Sequence, residues 1–256
     1  MFINFIVFME KQVKCFIFLL SNYYLEMKQT IGIVGGLGTE TSCKFCFSVN
    51  HKIKKIHQQQ PHIMMDNVPM SKEQENIIAH GNASIEVAKL LHDSVKRLNV
   101  SMADVIVIPC NTVHVFIDQL REHSRVPIMS IIEETAKECK KKELKKVGVL
   151  GSSLTINSGM YKEELEKHAI ETVIPEADEQ HFISSCILRI INLQQTAEDK
   201  EKMVQIVEKM KDKGAEAVIL GCTDLFLLLA KENTPIPKID STEVFEDALV
   251  SKMINQ

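Results

Sequence analysis

The chain is predicted to be an α/β protein of two similar lobes, each a small parallel sheet flanked by helices, with a ligand cleft between them. Three observations predict this. Short β-branched runs alternate with longer stretches that carry apolar residues at three- and four-residue spacing, the pattern of β-α units around parallel strands. A strand ending in a small-residue loop occurs twice, as Ile31-Gly32-Ile33-Val34-Gly35-Gly36 and as Val147-Gly148-Val149-Leu150-Gly151-Ser152. Each copy is followed, at a similar distance along the chain, by a strand that delivers a cysteine: Val105-Ile106-Val107-Ile108-Pro109-Cys110-Asn111-Thr112 and Val218-Ile219-Leu220-Gly221-Cys222-Thr223-Asp224. Four landmarks in the same order point to one α/β unit used twice. Because parallel sheets bind ligands beyond the carboxyl ends of their strands, the four loops are expected to converge on the cleft.

Taken in order, the first 26 residues stand apart, being rich in Phe, Ile, Tyr and Asn and interrupted by Glu10, Lys11 and Lys14. Their apolar run from Cys15 to Leu20 is too short to span a bilayer, and no small-residue cleavage site follows it. Residues 1–26 are therefore read as an N-terminal extension, either a poorly ordered appendage or an artefact of start-site choice, and the domain is expected to begin at Met27. Strands are predicted over 30–34, 63–67, 104–108, 128–130, 146–150, 171–174, 217–220 and 238–240. Helical periodicity predicts helices over 71–98, 113–122, 133–142, 158–168, 178–192, 197–213 and 243–254, with Gly214 placed as a C-cap. Residues 27–130 with 236–256 are assigned to the first lobe and 131–235 to the second.

Composition narrows the function. A chain of 256 residues that is 45% hydrophobic and 25% charged has ample material for a core. A net charge of −4, with no Lys/Arg stripe interleaved with aromatics, gives no footprint for nucleic acid. No membrane association is expected either, and the partner is expected to be a small molecule. Seven cysteines, odd in number and irregularly spaced, read as free thiols in a reducing cytoplasm rather than as a disulfide framework.

Several common sites are excluded. The loop Gly35-Gly36-Leu37-Gly38 lacks the third glycine of a dinucleotide fingerprint, Thr41 standing in its place, and no phosphate-cradling P-loop follows. Gly36 is instead expected to let backbone approach a small ligand. Cys43-x-x-Cys46, with His51, His57 and His62 downstream, resembles half of a zinc site, but no second cysteine pair follows. Cys46, Val49, Ile53 and Ile56 share one helical face, so Cys46 reads as a core residue and no metal is expected. Cys139 and Cys186 fall in helical patterns without an activating signature.

Cys110 and Cys222 differ from these because each sits where a strand enters a helix. Only a thiolate is a base or nucleophile, and a working cysteine needs an electropositive seat. Asn111 and Thr112 after Cys110, and Thr223 and Asp224 after Cys222, are good helix-start residues, so unpaired N–H groups are expected to face each sulfur.

Together Gly35-Gly36-Leu37-Gly38, Pro109-Cys110-Asn111-Thr112-Val113-His114 and Gly221-Cys222-Thr223-Asp224-Leu225 resemble the signature loops of the aspartate/glutamate racemase family, and Pro175-Glu176-Ala177-Asp178-Glu179-Gln180 is similar to a further family segment. The resemblance runs from Met27 nearly to the C-terminus. It implies two pseudo-symmetric α/β lobes, a homodimer, and amino-acid racemisation with neither pyridoxal phosphate nor metal, so no cofactor is expected. Aspartate or glutamate is the implied substrate.

The chemistry also follows from the residue types. Inverting an amino acid at Cα removes a proton from one face and returns one to the other, which two opposed thiols accomplish without either moving far. Cys110 and Cys222 are the catalytic candidates. Gly36, Asn67, Asn111, Thr112, Ser152, Ser153 and Thr223 are the substrate-binding candidates, chosen to place N–H and polar groups around the α-carboxylate. His114 and Asp224 are supporting candidates, able either to tune the thiols or to serve helix-start hydrogen bonding. Departures from relatives are Thr39 where many have Pro, Asp224 where they often have Glu, and Met70-Ser71-Lys72 where aspartate-specific members often show an Asp-Arg pair. Lys72 is read either as a replacement for that side-chain clamp or as a solvated helix-start lysine. Rival readings are a related decarboxylase that uses a single cysteine and a non-catalytic amino-acid-binding protein.

Overall fold

In the computed structural model, which describes residues 29–82 and 84–254, eight strands form two four-stranded sheets. The expectations for residues 1–26 and for a start at Met27 lie outside the described residues. In the first sheet β1 (Thr30–Gly35), β2 (His62–Asn67), β3 (Val105–Val107) and β4 (Ile128–Met129) take the order β2-β1-β3-β4. In the second, β5 (Lys146–Leu150), β6 (Glu171–Val173), β7 (Ala217–Leu220) and β8 (Lys238–Asp240) take the order β6-β5-β7-β8. All pairings are parallel, and the two sheets repeat one topology. The glycine loops leave β1 and β5, and the cysteine loops leave β3 and β7, so all four issue from the central strands at the carboxyl edge. β1, β3 and β7 are buried throughout, which is why they read as unbroken β-branched runs rather than alternating ones.

Helices cover these sheets: α1 (Thr39–His57), α2 (Lys72–Ala79), α3 (Ile85–Val100), α4 (Ile117–His123), α5 (Ile131–Lys141), α6 (Ser153–Asn157), α7 (Met160–Glu166), α8 (Ala177–Ile191), α9 (Ala197–Asp212), α10 (Leu225–Leu229) and α11 (Ser241–Ile254). The stretch 71–98, expected as one helix, is two. Gly81 at φ +99° turns the chain after α2, and Ser84 restarts it by accepting a hydrogen bond from Val87 N–H. Likewise 158–168 is preceded by the separate α6, with Gly159 at φ +75° between it and α7. The helix after Cys110 begins as a 3-10 turn, Thr112–Phe116. Ile56, expected on the core face of α1, is instead 54% exposed, in a last turn that also carries Lys54, Lys55 and His57.

The lobes are tied by helices from both. One apolar cluster contains Ile31, Phe45 and Val107 from the first half, Val147, Tyr161 and Ile219 from the second, and Phe245 and Leu249 from α11. Phe45 on α1 meets Phe245 with ring centroids 5.7 Å apart, and both side chains are fully buried. Lys52 adds ion pairs to Glu246 at 2.9 Å and Asp247 at 2.6 Å. One lobe boundary needs correction. The sequence reading gave 236–256 to the first lobe, but β8 pairs with β7 in the second sheet, through Val218↔Lys238 to Leu220↔Asp240. Only α11 crosses back to pack on α1. Local pattern identified β8 as a strand; which sheet it joins is a matter of long-range pairing.

Candidate active site

Cys110 leaves β3 through a tight turn in which its N–H donates to Ile108 O at 2.8 Å, and the 3-10 turn follows at once. The N–H groups of Thr112 and Val113 point at its sulfur. Cys222, after Gly221, receives the N–H groups of Asp224 and Leu225 in the same way. The helix-start seats foreseen for both thiols are present, yet they do not win. Burial pushes the Cys110 thiol up to about 11 despite the two N–H groups. Cys222 is raised well above the ordinary thiol range by burial first and by the Asp224 carboxylate second, and charge on Cys110 raises it further. The two sulfurs therefore oppose each other's ionisation across one cleft, lined by both of them, that encloses about 570 Å³ with its open mouth.

Each cysteine loop is bonded to the glycine loop of the other lobe. On one side the Thr112 hydroxyl lies 3.0 Å from the Ser152 hydroxyl and accepts from Thr155 Oγ1 at 3.2 Å. Ser152 in turn caps α6 by accepting Thr155 N–H at 3.2 Å. On the other side Thr41 Oγ1 donates to Asp224 Oδ1 at 2.7 Å, with Gly38 packed against the same carboxylate. The Cys222 thiol reaches Asp224 Oδ2 at 3.9 Å. Burial raises the Asp224 pKa above the usual carboxylate range.

The structure brings some of the expected residues to the cleft and leaves others outside it. Cys110, Cys222, Asn111, Thr112, Ser152, Thr223 and Asp224 line it. The Thr223 hydroxyl makes no hydrogen bond among the described residues and is open to a ligand. The Asn111 side chain is held from two sides by the second lobe. Tyr161 OH donates to its Oδ1 at 2.6 Å, and its Nδ2 donates to Ser241 Oγ at 3.0 Å. Ser241 Oγ continues to Leu220 O at 2.6 Å, at the end of β7. This buried relay fastens the first cysteine loop to the strand that carries the second.

Ser153 turns instead toward α8, its hydroxyl 2.7 Å from that of Ser184. Gly36 and Asn67 lie together at the end of the first sheet, where a Cβ on Gly36 would stand 2.4 Å from Val68 O and 3.1 Å from Asn67 Oδ1. Neither lines the cleft; Gly36, at φ +83°, lets the loop pass against β2. His114 Nδ1 lies 2.8 Å from Cys110 O, and its Nε2 accepts Ile131 N–H at 3.2 Å. That assigns an Nδ1–H neutral imidazole, which agrees with burial lowering its pKa to about 4. His114 thus braces the Cys110 loop through backbone. Lys72 is exposed on the outer face of α2 and does not line the cleft.

Several lining residues escaped the sequence reading. Met70, Glu75, Ile78 and Ala79 reach the cleft from α2 and its approach, and Ile187 and Ile191 from α8. The signal for Glu75 was present, since it shares a helical face with Ile78 and Ala79 at three- and four-residue spacing. Its significance depended on α2 breaking at Gly81 and packing on α8 across the mouth.

Two parallel α/β lobes, with a thiol from each in one cleft, set the class of protein to be compared. Residues 34–248 match the family described as Asp/Glu/Hydantoin racemase, and the chain belongs to that family. It is 27% identical over 226 residues to the broad specificity amino-acid racemase of Bacillus subtilis, covering 86% of this chain and 96% of that one. A glutamate racemase of Aquifex pyrophilus is 30% identical over 154 residues, 57% of each chain. Among solved structures, an aspartate racemase homologue from Pyrococcus horikoshii superimposes with TM-score 0.71 at 25% identity, covering 88% of this chain and 99% of that one. The aspartate racemase of Picrophilus torridus superimposes with TM-score 0.73 at 24% identity, covering 88% and 94%.

Proposed function

We propose that this family member inverts a free amino acid at Cα by a two-base transfer between Cys110 and Cys222, without a bound cofactor. The observation that carries the reading is the pair of buried thiols, each seated on helix-start N–H groups, whose charges oppose one another. Mutual opposition disfavours two thiolates, so that when one sulfur ionises the other stays a thiol, which is the state that proton abstraction and return require. The thiolate takes the Cα proton from one face, the carbanion's electron pair delocalises into the α-carboxylate, and the opposite thiol gives its proton to the other face. The reverse direction exchanges the roles. The α-carboxylate fits the N–H groups at both helix starts and the hydroxyls of Thr112, Ser152 and Thr223. The substrate ammonium, brought beside Asp224, supplies the positive charge that lowers a thiol pKa from its raised value in the empty cleft. Six free cysteines among the described residues fit a reducing compartment such as the cytoplasm.

Incubating the protein with L- and D-amino acids in deuterated water is expected to show Cα–H exchange and loss of optical rotation. Cys110→Ala and Cys222→Ala are each expected to abolish racemisation. Undiminished turnover in either variant refutes the two-thiol mechanism, and carbon dioxide release from a malonate in place of exchange supports the decarboxylase.

A further inference from the structure

Among the described residues the cleft is lined by carboxylates and by no cation. Its charged lining residues are Glu75 and Asp224, with neither Lys nor Arg among them. Asp224 is engaged by Thr41 and the Cys222 thiol. Glu75 makes no side-chain hydrogen bond or ion pair among the described residues. Lys72, one turn earlier on α2, acts on it only through space. Lys44, which acts through space on Asp224, is already paired with Glu40 at 2.6 Å. Met70, Ile78, Ile187 and Ile191 add apolar walls to the same cleft.

We propose, resting on the racemase reading above, that the substrate is an amino acid with a long aliphatic side chain ending in a cation, and that Glu75 is the residue that selects it. With the α-carboxylate at the two helix starts, the methylene stem lies along Met70, Ile78, Ile187 and Ile191 and the terminal ammonium or guanidinium meets Glu75. The energetics favour this occupant over an acidic one. Burial raises the Glu75 pKa, the Lys72 charge offsets part of this and the Asp224 charge raises it again, so the carboxylate is held at a net cost that an incoming cation relieves. A side-chain carboxylate would instead bring a third negative charge beside Glu75 and Asp224, with no Lys or Arg lining the cleft to pair with it.

The test is Cα–H exchange in deuterated water with lysine, ornithine and arginine, with norleucine as the uncharged match in length, and with aspartate and glutamate. The basic substrates are expected to exceed norleucine in kcat/KM by at least tenfold and the acidic ones by more. Glu75→Gln should bring the lysine-to-norleucine ratio toward one, and Glu75→Lys should raise glutamate above lysine; thermal melting of each variant checks that it folds. Lys72→Gln should leave the lysine preference in place. Faster exchange with aspartate or glutamate than with lysine, or an unchanged ratio in folded Glu75→Gln, overturns this inference and leaves the racemase reading standing. Absence of exchange with every amino acid overturns both.

Discussion

Replacing Asp224 by Asn is the most direct probe of how the cleft sets its thiols. Asp224 Oδ2 lies 3.9 Å from the Cys222 sulfur. At an effective dielectric near 20, two unit charges at that separation repel by about 4 kcal/mol, equivalent to about three pH units. That is an upper figure, since water in the open mouth screens the pair. Asn keeps the shape and an acceptor for the S–H while removing the charge. The Cys222 thiol pKa, now well above its ordinary value, is therefore expected to fall, and that of Cys110, which also feels Asp224, to fall by less. The assay is the pH dependence of alkylation by iodoacetamide, read peptide by peptide by mass spectrometry so that exposed Cys43 is separated from the cleft thiols. At pH 8 Cys222 in Asp224→Asn should react at least tenfold faster than in the parent. An unchanged or higher thiol pKa would show that desolvation alone holds Cys222 protonated, and the charge argument would fail.

Three further outcomes are expected. Tyr161→Phe removes the donor to buried Asn111 Oδ1 and should cost about 1–3 kcal/mol, lowering Tm by ~2–8 °C in a calorimetric scan; an unshifted Tm would mean that the relay through Ser241 does not fasten the loop. Gly36→Ala places a Cβ against Val68 O at a positive φ and should destabilise by at least about 2 kcal/mol by urea titration, whereas a gain in stability would contradict the close approach. His114 is held neutral, with its pKa lowered from 6.5 to about 4, so the unfolded chain binds its proton more readily than the folded one. Its contribution of about 3 kcal/mol is present above pH 6.5 and lost as pH falls toward 4, so His114→Gln should flatten the urea midpoint between pH 7 and pH 5; parallel profiles for both proteins would refute it.

Much of the architecture was legible in the chain. Parallel strands buried on both faces carry a local signature, and so does a strand end that passes into a helix, which is why the duplicated order of landmarks and the positions of Cys110 and Cys222 could be read directly. The helix-start N–H seats were legible for the same reason. Their balance was not, because desolvation is a sum over all surrounding atoms while helix-start donors are neighbours in sequence. Glu75 illustrates the same divide. Its apolar helical neighbours marked the face, but nothing local said that this face closes the mouth of the cleft.

The sequence by itself determined the fold class, the repeated unit and the pair of thiols, since each depends on short-range periodicity and on where strands end. Tertiary structure alone decided which polar side chains face the cleft and which hold the frame. It set Thr223, Asp224 and Glu75 on the cleft, committed Asn111, His114 and Ser153 to neighbours elsewhere, and joined β8 to the second sheet. The physical reason is that a side chain's partner is chosen by packing between elements distant along the chain. Neighbouring residues fix how the backbone runs, whereas the opposite lobe fixes what each polar group meets.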